Sequence, residues 1–205
     1  MNYFWFWKDA LIASVVLSLI VIAIGMLTRL PLRRKLLWSA LAGYLVLVFF
    51  LTALPIVVTG NSLSWREIWN GAVKTPVRPI LQSAGIALRH LSSGSYGPLK
   101  RFLLNTVGNL ALLTPFAFFI RMLSGIRYRH VLLLCVAASL FIEGSQAALN
   151  KFCGVNNRIV DINDIILNVA GSLLCCLVMR QLTGIKERRA HHGDVSHTGR
   201  APHSK

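Results

Sequence analysis

The chain has 205 residues, 55% of them hydrophobic and 14% charged, with 22 Lys and Arg against 7 Asp and Glu for a formal charge of +15; its mean hydropathy is +0.60. That apolar fraction excludes an ordinary soluble domain and points to an integral membrane protein. The basic excess does not argue for nucleic acid, because most basic residues flank apolar runs, where anionic headgroups are the nearer partner, and no RNA- or DNA-binding motif is present.

A membrane-spanning helix needs roughly 20 mostly apolar residues, and five stretches qualify, at about 9–29, 37–59, 102–123, 131–150 and 161–182. With no water in the bilayer core to satisfy backbone groups, each is expected to be a helix. The first could be mistaken for a signal peptide, but "MNYFWFWKDALIASVV" has aromatics where a signal peptide has basic residues and no small-residue cleavage site follows, so it reads as retained. Trp5 and Trp7 suit an interfacial belt.

After the second span comes the long connection 60–101. Here "NSLSWREIW" sets Ser64 as the cap of a short helix, Pro76 and Pro79 interrupt the chain, and "RPILQSAGIALRHL" spaces Ile80, Leu81, Ile86, Leu88 and Leu91 in a loose amphipathic pattern. Short helices lying on or dipping into the outer leaflet are expected. Within the third span, Pro115 predicts a kink.

Basic residues set the expected orientation. Arg29, Arg33, Arg34 and Lys35 follow span 1; Arg121, Arg127 and Arg129 follow span 3; Arg180, Lys186, Arg188, Arg189, Arg200 and Lys205 follow span 5. Five alternating helices put these three segments on one side, which the positive-inside rule makes the cytoplasm, N-terminus out and C-terminus in. Residues 1–182 thus read as an all-α polytopic bundle of about five transmembrane helices with short outer interfacial helices. Residues 183–205 read as a basic, disordered cytoplasmic tail, its His191, His192, His197 and His203 solvated rather than metal-bound. Cys135, Cys175 and Cys176 fall in spans as small core residues, Cys153 is a free thiol in a loop, and no outer pair is available for a disulfide.

Three spans carry polar residues in their outer halves. On span 3, Asn105 and Asn109 are four apart and share a helix face, with Thr106 alongside. On span 4, Glu143 and Gln146 are three apart, and counting from Asn150 puts Glu143 roughly 10 Å below the boundary. On span 5, Asp161, Asp164, Asn168 and Gly171 descend at intervals of three, four and three. A carboxylate inside a bilayer costs a few kcal/mol and faces a bundle interior or wet cavity with a partner; Arg158 and the side-chain amides are at hand. Spans 3, 4 and 5 are therefore expected to pack around a pocket lined by Asn105, Asn109, Glu143, Gln146, Arg158, Asp161, Asp164 and Asn168, with Gly108, Gly144 and Gly171 allowing close approach. The plainer alternatives are that Asp161 and Asp164 cap helix 5 and that the asparagines are interhelical glue.

At these residues the chain resembles the VanZ-like family, bacterial membrane proteins named for a teicoplanin-resistance accessory protein. The resemblance covers approximately residues 35–180. It rests on "NTVGNLALLTPFAFF", "EGSQ" and "RIVDINDIILNVAGSLL", in that order. It carries over to Asn105, Asn109, Pro115, Glu143, Gln146, Arg158, Asp161, Asp164, Asn168 and Gly171, while Ala117 and Cys175 depart from the family pattern. It implies a multi-pass protein of the bacterial cytoplasmic (inner) membrane and cell envelope, linked in its namesake to glycopeptide (teicoplanin) susceptibility, and it supplies no reaction.

Three functions compete. The first is an outward-facing polar pocket binding a lipid-linked envelope precursor, a membrane lipid or another amphiphile. The second is an intramembrane enzyme acting on a lipid-linked substrate through Glu143, Asp161 and Asp164; GxSxG and HExxH patterns are absent, and no histidine lies in a span. The third is an ion-coupled carrier using Glu143. No metal and no cofactor is expected.

Overall fold

The computed structural model describes residues 3–53, 62–152 and 159–198, with side chains described over 8–52, 62–152 and 159–185. Among the described residues the chain forms eight α-helices and no strand: α1 Tyr3–Met26, α2 Leu32–Ala53, α3 Trp65–Gly71, α4 Arg78–Ser92, α5 Gly97–Leu112, α6 Thr114–Ser124, α7 Tyr128–Phe152 and α8 Ile162–Thr198. Five segments are long and apolar enough to cross a membrane: Lys8–Met26, Leu32–Thr52, Gly97–Ser124, Tyr128–Phe152 and Ile162–Ile185. Each overlaps one of the five expected spans. Cys153 and the side chains of Trp5, Trp7 and the tail histidines lie outside the described residues.

Three features differ from the sequence reading. The third span begins at Gly97 rather than near 102, so Lys100 and Arg101 sit in its first turns. It is also two helices, α5 and α6, broken at Leu113 (φ −104°, ψ 0°). Pro115 has no N–H to give the carbonyl one turn back, and its ring crowds that turn. Side chains brace the backbone around the break: Thr114 Oγ1 donates to the Leu110 carbonyl at 2.8 Å, and Ser172 Oγ from α8 to that of Leu113 at 3.3 Å. The third difference is the tail, because α8 continues to Thr198 where an aperiodic segment from Thr183 was expected. Lys186, Glu187, Arg188, Arg189 and Ala190 are strong helix formers, and an existing helix propagates through them with no new nucleation.

Helix α1 packs on α2 through reciprocal serine bonds. Ser14 Oγ donates to the Gly43 carbonyl at 2.8 Å, Ser39 Oγ to Ser18 at 2.7 Å, and Ser18 Oγ to Ser39 at 3.1 Å. A Cβ on Gly43 would lie 2.2 Å from Ser18 Oγ, so glycine sets this approach. Lipid is as apolar as leucine, so such small-residue contacts and hydrogen bonds supply the association.

In the rest of the bundle, α8 is central: it packs against α5, α6 and α7, while α2 closes onto α6 and α7. The half containing α6 is filled by Val48, Leu113, Ala117, Val131, Cys135, Ile142 and Cys176. At the end of the bundle bearing α3 and α4, the chain is laced to the start of α8 by backbone bonds. Val73 N–H donates to the Val160 carbonyl at 2.9 Å, and Ile162 N–H to that of Val73 at 3.1 Å.

The expected Ser64 cap is a full capping box. Ser64 Oγ accepts from Glu67 N–H at 3.2 Å, and Glu67 Oε2 accepts from the Ser64 amide at 2.7 Å. The hydroxyl and amide of Ser64, with Lys151 adding a weaker pull, hold the Glu67 carboxyl below its ordinary pKa. A depressed folded pKa means that this contribution to α3 is present above the unfolded value and is lost as pH falls through the folded one. Carbon-13 titration of Glu67 should therefore give a pKa below the ordinary carboxylate value in the native protein, returning towards it in Ser64→Ala; equal values in the two proteins would contradict the capping box.

Candidate functional site

The site begins with the break at Pro115. Below it, α6 packs against α7; above it, α5 leans on α8, and α7 meets the third span chiefly through α6. The space left between α5 and α7 is a cavity of about 510 Å³ walled by α2, α5, α7 and the start of α8. Asn105, Asn109, Glu143, Gln146, Asp161, Asp164 and Asn168 all line it, so seven of the eight residues expected to converge do so. Arg158 lies outside the described residues. Glu143 is nine residues from the end of α7, about 13 Å along a helix axis, and Asn168 is six residues into α8, about 9 Å.

Close packing of α8 on α5 depends on Gly171. A Cβ there would sit 1.8 Å from the Leu110 carbonyl oxygen. Gly108 and Gly144 do not share this role, contrary to expectation: a Cβ on either meets nothing within 4 Å. Gly108 lines the cavity instead.

Each carboxylate braces the start of α8. Glu143, 4% exposed, accepts from the Asp161 backbone N–H at 3.0 Å through Oε2. Asp161 Oδ1 accepts from the Asn163 backbone N–H at 2.8 Å, the N-cap geometry that the plainer reading anticipated, and from Asn163 Nδ2 at 2.7 Å. Asp164 lies in the first turn, where its negative charge suits the helix dipole, and Asn109 Nδ2 donates to its Oδ1. Gln146 Nε2 reaches the Thr52 carbonyl at 3.4 Å.

Two amides are differently placed. Asn168 is 1% exposed, and its Nδ2 donates to Ser139 Oγ at 3.0 Å, yet its Oδ1 is buried with no hydrogen-bond partner among the described residues. Asn105 is exposed on the opposite wall. Among the described residues lining the cavity there is no His, Cys or Ser, and no group of three or more His, Cys, Asp or Glu could hold a metal. The arrangement presents hydrogen-bonding amides and carboxylates inside an apolar bundle.

Two contributors escaped the sequence reading. The wall formed by Leu51 and Thr52 of α2 has no polar stripe to announce it. Asn163, 2% exposed, accepts from Val77 N–H at 2.7 Å and donates to the Thr75 carbonyl at 3.2 Å. It thereby clamps a tight γ-turn in which Arg78 N–H donates to the Pro76 carbonyl at 2.7 Å and Val77 sits at φ 65°, a strained value for a β-branched residue. The available signal was the "DIND" sequence itself: a second Asx residue, two positions after the cap, at a helix start.

The family model described as VanZ/LLP1 matches residues 41–183. The match takes in every cavity-lining residue named above and leaves α1 outside. No curated protein and no solved structure matches the chain.

Proposed function

The chain belongs to the VanZ/LLP1 family, and from that membership and the cavity we propose that it is a bacterial cytoplasmic-membrane protein whose polar cavity faces outward and binds an amphiphilic, lipid-linked ligand. The convergence of Asn105, Asn109, Glu143, Gln146, Asp161, Asp164 and Asn168 on one cavity carries this reading. Their carboxylate and amide oxygens are acceptors that the hydroxyl or amine groups of a ligand can meet. The engaged carboxylates favour binding over chemistry, because each already holds a backbone or amide donor. The outward aspect follows from the basic clusters at Arg33–Lys35, Arg127–Arg129 and Arg180, which the positive-inside rule assigns to the cytoplasm.

A link to teicoplanin susceptibility follows if the ligand is an envelope lipid that shares the outer leaflet with the antibiotic's target. The test is titration of detergent-purified protein with lipid-linked wall precursors, phospholipids and teicoplanin. Saturable binding is expected for at least one lipid, weakened about tenfold, or about 1.4 kcal/mol, by Asn168→Leu. Absence of saturable binding by any of these, or equal affinity in the variant, overturns the proposal.

A further inference from the structure

A second cavity of about 420 Å³ adjoins the polar one and shares Asn105, Asp161 and Asp164 with it. Its size falls within the roughly 300–1,000 Å³ of small-molecule sites, but its character differs. Its walls expose more apolar than polar surface, with Ile80 and Ile86 from α4, Phe102 from α5 and Leu167 from α8 beside Ser83, Thr106 and Asn163, and Arg101 is the one basic side chain among its described lining residues. Arg101 and Asn105 are four residues apart on α5, one turn on the same face.

We infer that the two cavities are the two halves of one site for a phosphate-linked lipid whose head carries amine or hydroxyl donors. The inference rests on the reading of the polar cavity as a ligand site. In this arrangement a hydrocarbon chain fills the α4/α5/α8 chamber, the phosphate pairs with Arg101, and the head passes the Asn105/Asp161/Asp164 seam into the polar chamber.

Charge order supports that polarity. The carboxylates at the seam repel a phosphate, which keeps it a turn away beside Arg101, and they attract an ammonium or accept from hydroxyls. Asn109, Glu143, Gln146 and Asn168 line the polar chamber and not the other one. A ligand lacking a donor-bearing head leaves the polar chamber's acceptors unmet, and a ligand lacking a chain leaves the apolar chamber unfilled. The α4 wall is held in place by the Asn163 clamp on Thr75 and Val77, so the chamber is built by the same α8 turn that builds the seam.

The test uses the full chain in detergent and two probes, dioleoylphosphatidylethanolamine and its chain-free counterpart glycerophosphoethanolamine. Ser83 lies on the α4 wall between Ile80 and Ile86, so Ser83→Trp fills the chamber from a helix outside the buried bundle core; Ile80→Trp is a second filling variant. Either should weaken the long-chain probe about tenfold while leaving the chain-free probe unchanged, and Arg101→Gln should weaken both. Thermal unfolding midpoints identify any variant that fails to fold. If both filling variants leave long-chain affinity unchanged, or reduce chain-free affinity equally, the two-chamber assignment is overturned while the polar site stands. If the long-chain probe binds the native protein without sensitivity to Asn168→Leu, the polar site falls as well.

Discussion

Replacing Gly171 with alanine is expected to cost about 3 kcal/mol or more and to abolish ligand binding with it. The added Cβ would lie 1.8 Å from the Leu110 carbonyl oxygen, 2.7 Å from its carbon and 3.0 Å from Thr114 Oγ1. The first two atoms are backbone, so no rotamer change relieves the overlap; α5 and α8 must part. Both helices carry cavity residues, and their separation displaces Asn105 and Asn109 relative to Asp164 and Asn168. Gly108→Ala and Gly144→Ala serve as controls, since a Cβ at either position meets open space. The thermal unfolding midpoint in detergent should fall sharply for Gly171→Ala and hold within a few degrees for the other two. A Gly171→Ala protein as stable as the native one would show that this helix contact is not the one holding the bundle closed.

The second large effect is expected at Glu143, where leucine and glutamine should behave differently. Glu143 Oε2 receives the Asp161 amide, and Asp161 stands where α8 begins, beside the Val73 bridge and under the Asn163 side chain. Leucine removes the acceptor and leaves a backbone N–H unmet in a poorly hydrated place, at about 1–3 kcal/mol. Amide exchange over residues 160–165 should accelerate, and lipid binding should fall with it. Glutamine retains an amide oxygen at the same reach, so Glu143→Gln should keep exchange protection near the native level. Equal acceleration in both variants would mean that the carboxylate's charge, and not its role as acceptor, secures the start of α8.

These two residues also divide what was legible in the chain from what was not. Glu143 could be singled out from sequence because a carboxylate in an apolar run is costly anywhere it is placed, so it must face something polar. The i, i+3 and i+4 spacing then located its neighbours: Gln146 on the same face, and Asp161, Asp164 and Asn168 on one stripe of α8. Seven of the predicted lining residues meet at one cavity because helical periodicity fixes faces before any tertiary contact forms. The glycines were less legible. Gly108, Gly144 and Gly171 are equivalent as letters, and only the crossing of α8 over the end of α5 makes one of them indispensable.

Asn163 and Gly43 were missed for a related reason. Their partners are a backbone amide 86 residues away and the serine hydroxyls of a neighbouring helix, and no local pattern marks a long-range hydrogen bond. The kink at Pro115 was local and was anticipated, but its consequence was not. By ending α5 at Leu112 it turns one span into two segments, so that one packs against α7 while the other leaves room for the cavity.

The amino-acid order alone determined the five apolar spans, the polar faces of three of them and the family to which the chain is similar, because membrane insertion and helical periodicity act on neighbouring residues. The tertiary structure decided which glycine lets two helices touch, that α2 closes the polar cavity, and that an apolar chamber adjoins it. Those outcomes depend on distances between segments far apart in the chain, where the position of one backbone carbonyl, Leu110, determines whether a single methyl group can be tolerated.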